Sequence, residues 1–118
     1  PTHALHEGEG QVAFLATDQE GMPLVARIEF NEGDEQKPYT VNDGRIRLAF
    51  VERGEIVLGE GAKIERHSER SYGAGDILVI PAGVPFWVAA REGGENGATL
   101  VISIIPGGST LNTPFSAQ

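Results

Sequence analysis

The side chains with capacity for chemistry are few: three histidines, two tyrosines and a scatter of arginines, with no cysteine among them. His3 and His6 stand at i and i+3 with Glu9 three residues further on, a spacing that on a helix would bring two imidazoles and a carboxylate to one face. Gly8 and Gly10 oppose a stable helix there, and a loosely held N-terminal arm over residues 1–10 is the expectation. His67 is the one histidine away from the terminus, in the polar segment Ala62–Tyr72, where a lone imidazole reads as a surface residue. Zero cysteine excludes disulfides, thiolate catalysis and Cys-based zinc sites, and leaves the compartment undecided. There is no Ser-His-Asp context, no phosphate-cradling Gly loop opening a helix, and no nucleophile elbow.

Whatever these residues do, short strands must position them. The stretch Gly75–Val88, GDILVIPAGVPFWV, reads as a turn, an apolar strand, a Pro-x-Gly corner and a second apolar strand. The run Ile77–Ile80 has no polar alternation, which predicts cover on both faces. Gln11–Thr17 and Leu24–Phe30 are further strands, the second with one wet face, and Asn31–Pro38 is an acidic loop. Tyr39–Val41 is a short β-segment closed by the turn Asn42-Asp43-Gly44. In Arg45–Val51, Ile46, Leu48 and Phe50 share one parity and Arg45, Arg47, Ala49 and Val51 the other. Gly54 is expected to turn the chain into Glu55–Leu58, Gly59 and Gly61 to turn it again, and Ala62–Tyr72 to form a polar strand. A plain loop, Arg91–Gly97, precedes the apolar strand Ala98–Ile105. An irregular tail over 106–118 is expected to dock by Leu111 and Phe115. No helix of ten or more residues is expected, so the chain reads as all-β, an antiparallel sandwich or barrel over 11–105.

At 118 residues the chain suits one domain with a single core. Its formal net charge of −8 repels phosphate backbones, and no basic stripe offsets it. Nucleic acid and membrane are therefore not expected partners, and no apolar stretch approaches the roughly 20 residues of a bilayer span. The chain opens on Pro1 without Met, which suggests trimming by processing, yet no charged segment followed by an apolar core marks a leader.

Over Val25–Ile105 the chain resembles the cupin superfamily. Gly75-x5-Pro81-x-Gly83-xx-Phe86 is similar to the second cupin motif, in which a histidine ends the pattern. Gly33, five residues, Tyr39-x-Val41 and then Arg47-x6-Gly54 fall on the first, in which the family has His-x-His, Glu and Gly. The wording IPAGVPFWV most resembles the vicilin-type branch. The resemblance implies a double-stranded β-helix, a jelly-roll barrel with one mouth open to ligands. At the four places where the family carries metal ligands, this chain has Tyr39, Val41, Arg47 and Phe86. Valine and phenylalanine have no donor atoms and arginine repels a cation, so no metal and no cofactor are expected.

If these positions keep the inward direction the resemblance implies, Tyr39, Val41, Arg47, Ala49, Val51, Phe86 and Val88 line the interior. An arginine among apolar walls needs a partner. Three arrangements meet this: an internal pair with Glu29 or Glu65, a small carboxylate-bearing or phenolic ligand held by Arg47 and Tyr39, or a register slip turning Arg47 to solvent. Ile46, Leu48, Phe50 and Trp87 then face outward, which calls for cover by the N-terminal strand or by a second subunit; a homodimer through this sheet is the expectation. Two functional readings follow. One is a non-catalytic, metal-free module for small-ligand binding, storage or dimerisation, with Tyr39, Val41, Arg47, Phe86 and Val88 as its ligand-binding residues. The other is a metal-independent isomerase, epimerase or cyclase acting on a small anionic or phenolic substrate. In metal-free cupin relatives of that kind a histidine base and a tyrosine acid work on opposite sides of the substrate, which makes His67 with Tyr39, or Tyr72, the candidates here.

Overall fold

The computed structural model describes residues 2–4 by their backbone, and residues 8–91 and 96–106. Nine strands occupy these segments: β1 (Thr2–Ala4), β2 (Gln11–Thr17), β3 (Pro23–Phe30), β4 (Tyr39–Thr40), β5 (Ile46–Glu60), β6 (Arg70–Gly73), β7 (Ile77–Val79), β8 (Pro85–Ala89) and β9 (Ala98–Ile105). Every pairing is antiparallel. The strand order is β1-β2-β3-β9-β5-β8-β4, with β6 and β7 also paired to β5, and the sheet curls into a jelly-roll barrel. Among the described residues no helix is long and apolar enough to cross a membrane.

Strand β5 makes the curl. It is a single 15-residue strand, where the sequence suggested two strands separated by a turn at Gly54. Its first half pairs with β7 and β9, and its second half with β6 and β8. Between the halves the ladder to β9 shifts register between Val51 and Arg53, and Gly54 follows with φ 77°. A Cβ at Gly54 would lie 2.2 Å from the Gly97 carbonyl oxygen, so the bend needs glycine for both conformation and space. Gly59, also expected to turn the chain, lies inside the strand, opposite Trp87.

Inside the barrel, alternation delivers Ile28 and Phe30 from β3, Ala49, Val51, Ile56 and Leu58 from β5, Leu78 from β7, Phe86 and Val88 from β8, and Leu100 from β9 to one core. Trp87 and Ala89 point to the opposite face of β8, yet both are fully buried. Trp87 lies over Gly59, and its indole N–H donates to Glu69 Oε2 at 2.6 Å. Glu69 also accepts from Arg91, Nε to Oε1 at 3.1 Å and Nη2 to Oε2, while Arg91 Nη1 donates to Glu35. Trp87 is thus covered from within the chain and not by a second subunit or the N-terminal strand.

Two other expectations change. The polar segment 62–72 is mostly loop, with a 3₁₀ turn at Arg66–Ser68 and only Arg70–Gly73 in the sheet, because it offers no apolar row to bury. The run Ile77–Ile80 is covered on one face: Leu78 and Ile80 are buried, but Ile77 and Val79 are 67% and 59% exposed. Among the described residues its strand pairs with β5 alone, which makes it an edge. At the N-terminus, backbone 2–4 pairs with Gln11–Ala13. The side chains of His3 and His6, and the tail with Leu111 and Phe115, lie outside the described residues.

Gly59 provides a test of this packing. A Cβ there would lie 2.1 Å from Trp87 Cζ2, whereas one at Gly73 meets nothing within 4 Å. Gly59→Ala should destabilise the fold by about 3 kcal/mol, and Gly73→Ala should leave it unchanged within about 1 kcal/mol, both read by urea denaturation.

Candidate functional site

An open-mouthed cavity of about 230 Å³ lies between the two layers of the barrel. Tyr39, Val41, Arg47, Phe86 and Val88 all line it, joined by aliphatic walls from β2, β3 and β9. Ladder register explains the convergence. Tyr39 pairs with Phe86 and Arg47 with Ile104, so these residues share the inner face of their sheets. The inward-facing Ala49 and Val51 are fully buried in the core and are not among the cavity's walls.

At the mouth, the Tyr39 ring packs on Phe86 with centroids 4.5 Å apart and planes tilted by 47°. Phe86 is fully buried and Tyr39 is 45% exposed, so the tyrosine forms the rim and the phenylalanine the wall behind it. Burial of the phenol pushes Tyr39 above its ordinary value, an effect the nearby Arg47 charge partly offsets. Its hydroxyl is therefore a protonated donor throughout the ordinary pH range.

Arg47 finds its partner close by. Its two terminal nitrogens donate to the two carboxylate oxygens of Asp43, Nη1 to Oδ1 at 2.9 Å and Nη2 to Oδ2 at 2.8 Å. Neither Glu29 nor Glu65 pairs with it, and Arg47 is not turned to solvent. The Asn42-Asp43-Gly44 turn places the carboxylate four residues before the arginine, and Arg45 N–H adds a third hydrogen bond to Oδ1 at 3.0 Å. Hydrogen bonds from Arg47, then from the Arg45 backbone, hold the Asp43 carboxyl well below the usual carboxylate range. The Asp43 hydrogen bond in turn raises Arg47. The fork is occupied and its charge neutralised at close range.

Gln36, which the sequence hid inside an acidic loop, is a further wall of the cavity and is 6% exposed. The loop follows the edge of β8: Gly33 N–H donates to Ala90 O, Ala90 N–H to Asp34 O, and Gln36 N–H to Val88 O. These bonds turn the Gln36 side chain inward. Its only sequence signal is that it is an uncharged residue among acidic and basic ones.

His67 is elsewhere. It sits on the 3₁₀ turn with its side chain 81% exposed, 3.3 Å from Glu65, and is not a wall of the cavity. The structure does not bring the proposed pair Tyr39 and His67 together. Tyr72 packs against the core from β6 and lines a separate, polar depression with Glu60, Ser68 and Arg70. Among the described residues no group of three or more His, Asp or Glu side chains is placed to hold a metal ion.

No protein-family model matches the sequence, and no curated protein matches it significantly. Solved structures do match. Drosophila melanogaster CENP-C bound to CAL1 superposes with a TM-score of 0.68 at 14% identity, covering 88% of this chain and 78% of that one. The Schizosaccharomyces pombe Cnp3 cupin domain gives 0.63 at 14% identity, covering 80% of this chain and 63% of that one, so this chain spans less than two thirds of its length. A predicted oxalate decarboxylase from Thermotoga maritima gives 0.62 at 20% identity, with 80% and 78% covered. The fold is that of the cupin superfamily, an all-β double-stranded β-helix.

The Asp43–Arg47 pair makes a titration prediction. A carboxyl lowered in the folded state stabilises the fold above its unfolded value of about 3.9, and that contribution is lost only as pH falls through the lower folded value. The Asp43 side-chain carbonyl carbon should therefore show no NMR titration step between about pH 3 and 9. Arg47→Met should restore a step near pH 4 while changing stability by less than about 1 kcal/mol, because both partners are partly exposed.

Proposed function

We propose that the chain is a metal-free, non-catalytic cupin module that takes a small organic ligand into its barrel and pairs with a second copy through the outer face of its larger sheet. The observation that carries the ligand reading is that Tyr39, Val41, Arg47 and Phe86, standing where the family resemblance puts metal ligands, all border one apolar cavity. Two of them lack donor atoms and a third is a cation already bound to Asp43, so the chemistry left at this place is enclosure of an organic molecule. At about 230 Å³ the cavity is smaller than the usual drug-sized site, which suits only a small ligand.

The alternative reading, a metal-independent isomerase, epimerase or cyclase, needs a base facing Tyr39. His67, the base assigned to it, is a surface residue outside the cavity. The non-catalytic reading is preferred on that ground. Cupin folds serve both purposes among the neighbours: CENP-C is bound to a protein, CAL1, while another neighbour is a predicted oxalate decarboxylase.

Pairing rests on the outer face of β7, β5 and β9. Ladder register sets Phe50 opposite Ile77 and Val101, and Leu48 opposite Val79, giving one contiguous apolar surface. Ile77, Val79 and Phe50 are 67%, 59% and 40% exposed. On the same chain Arg27 approaches Glu52 at 3.7 Å, a pair of opposite charges that a two-fold axis could exchange between copies. A self-complementary patch of this kind suits an isologous dimer.

Toluene should raise the melting temperature of the wild-type protein, and Val88→Phe, which fills the cavity, should abolish the rise; an unmoved wild-type melting point would count against the ligand reading. Tag-free protein after gel filtration should carry no stoichiometric transition metal. Native mass spectrometry at micromolar concentration should give a dimer, and the double substitution Ile77→Lys and Val79→Lys a folded monomer. Monomer alone from the wild type would refute the pairing.

A further inference from the structure

Among the described residues, the cavity wall contains a buried polar atom without a hydrogen-bond partner. Gln36 is more than nine-tenths buried, and its Oε1 has no hydrogen-bond partner among the described residues. A buried amide oxygen in that state carries a desolvation cost that a ligand group can relieve. The backbone bonds from Gln36 N–H to Val88 O and from Gly33 N–H to Ala90 O hold the loop along the edge of β8, which keeps the Gln36 backbone at the cavity wall.

The charges nearby select against an anion. Arg47 is the cavity's one cationic wall, and both its terminal nitrogens are engaged by the Asp43 carboxylate. The adjoining groove, which shares Val12, Ile28, Gln36 and Tyr39 with the cavity, is bordered by one acid and one base, Glu9 and Lys37. Glu9 Oε1 accepts from Lys37 N–H at 3.3 Å, and its Oε2 is buried without a partner among the described residues. Lys37 stands in the groove and not among the cavity walls, so inside the cavity a carboxylate would meet the Gln36 amide oxygen and a guanidinium already neutralised by Asp43. Size narrows the class further. An apolar cavity of roughly 150 Å³ admits benzene, and this one, at about 230 Å³, has room for one ring with a short substituent.

Resting on the ligand-binding reading above, we propose that Gln36 is the specificity-determining residue of the cavity, and that the ligand is a small uncharged molecule, an apolar ring or its aliphatic equivalent carrying one hydroxyl set against the Gln36 amide. A hydroxyl both donates and accepts, so it satisfies either end of the amide. Tyr39, a protonated phenol at the rim, closes over the apolar body by its ring and not by charge.

The test compares benzyl alcohol, toluene and benzoate by calorimetric and NMR titration of the wild type and of Gln36→Met. Benzyl alcohol and toluene should both bind the wild type, with benzoate at least tenfold weaker than the alcohol. In Gln36→Met the ratio of alcohol to toluene affinity should fall by about tenfold, the value of one hydrogen bond, while toluene binding is kept. In the wild type, the Gln36 side-chain amide resonances should move on adding benzyl alcohol and stay in place on adding toluene. That measurement holds even if the variant does not fold. Benzoate binding as tightly as the alcohol overturns the assigned charge class. An unchanged affinity ratio, or amide resonances that ignore the alcohol, overturns the role of Gln36. Failure of all three probes to bind the wild type removes the ligand-binding reading itself.

Discussion

Everything in this molecule hangs from the bend in β5. One 15-residue strand must serve two sheets, so its backbone has to change direction without losing its ladder. The register shift after Val51 and the left-handed conformation of Gly54 accomplish this, with the Gly97 carbonyl packed where any side chain would begin. Arg47, Ala49 and Val51 lie on one side of the bend, Ile56 and Leu58 on the other, and all point into the same interior. Without the bend the first half of β5 would have no facing layer, and Tyr39 and Phe86 would have no cavity to border.

The polar groups divide into two arrangements with different consequences. On the outside of the smaller sheet, Glu69, Arg91, Glu35 and Trp87 form a satisfied network. Burial pushes Glu69 up, but hydrogen bonds from Arg91 and Trp87 prevail and hold it below its ordinary value. This network seals a fully buried tryptophan. At the mouth of the barrel, Asp43 and Arg47 neutralise one another in a partly solvated pair, which leaves the cavity apolar in character despite its arginine. Between these two satisfied sets, Gln36 Oε1 has no partner among the described residues, and neither has Glu9 Oε2 in the adjoining groove. Gln36 is the one of the two that also walls the cavity, and the contrast with the paired groups around it gives its amide its meaning.

The larger sheet is asymmetric in the opposite sense: its inner face lines the core and the cavity, while its outer face exposes Phe50 on β5 and Ile77 and Val79 on β7. A run such as Ile77–Ile80 carries no polar residue to mark a wet side. Sequence reasoning therefore expected cover on both faces, whereas the edge position of β7 leaves one uncovered within the chain. The missing alternation is consistent with a face that a second copy covers, in line with the proposed pairing.

Much of the architecture was legible in the residues. The Gly75–Val88 stretch, the alternation in 24–30 and 45–51 and the dense turn signals define short antiparallel strands, and Val41 and Phe86 bring no donor atom to two of the four places where the resemblance puts metal ligands. Local pattern has less hold where a residue's meaning depends on a distant neighbour. Gly54 and Gly59 look like turn residues, yet one is a bend and the other a flat place beneath Trp87. Arg47 meets Asp43 from the adjacent turn and not the distant Glu29 or Glu65, because the tight turn brings that carboxylate back over the strand first. His67 stays outside the cavity because its segment has no apolar row to bury and remains on the surface. Gln36 enters the cavity wall because a loop hydrogen-bonded along β8 carries it there. Residue type and spacing determined which chemistry this chain can perform. Only the tertiary structure decided which side chains meet, because contacts between strands far apart in sequence are set by ladder register and by the curl of β5.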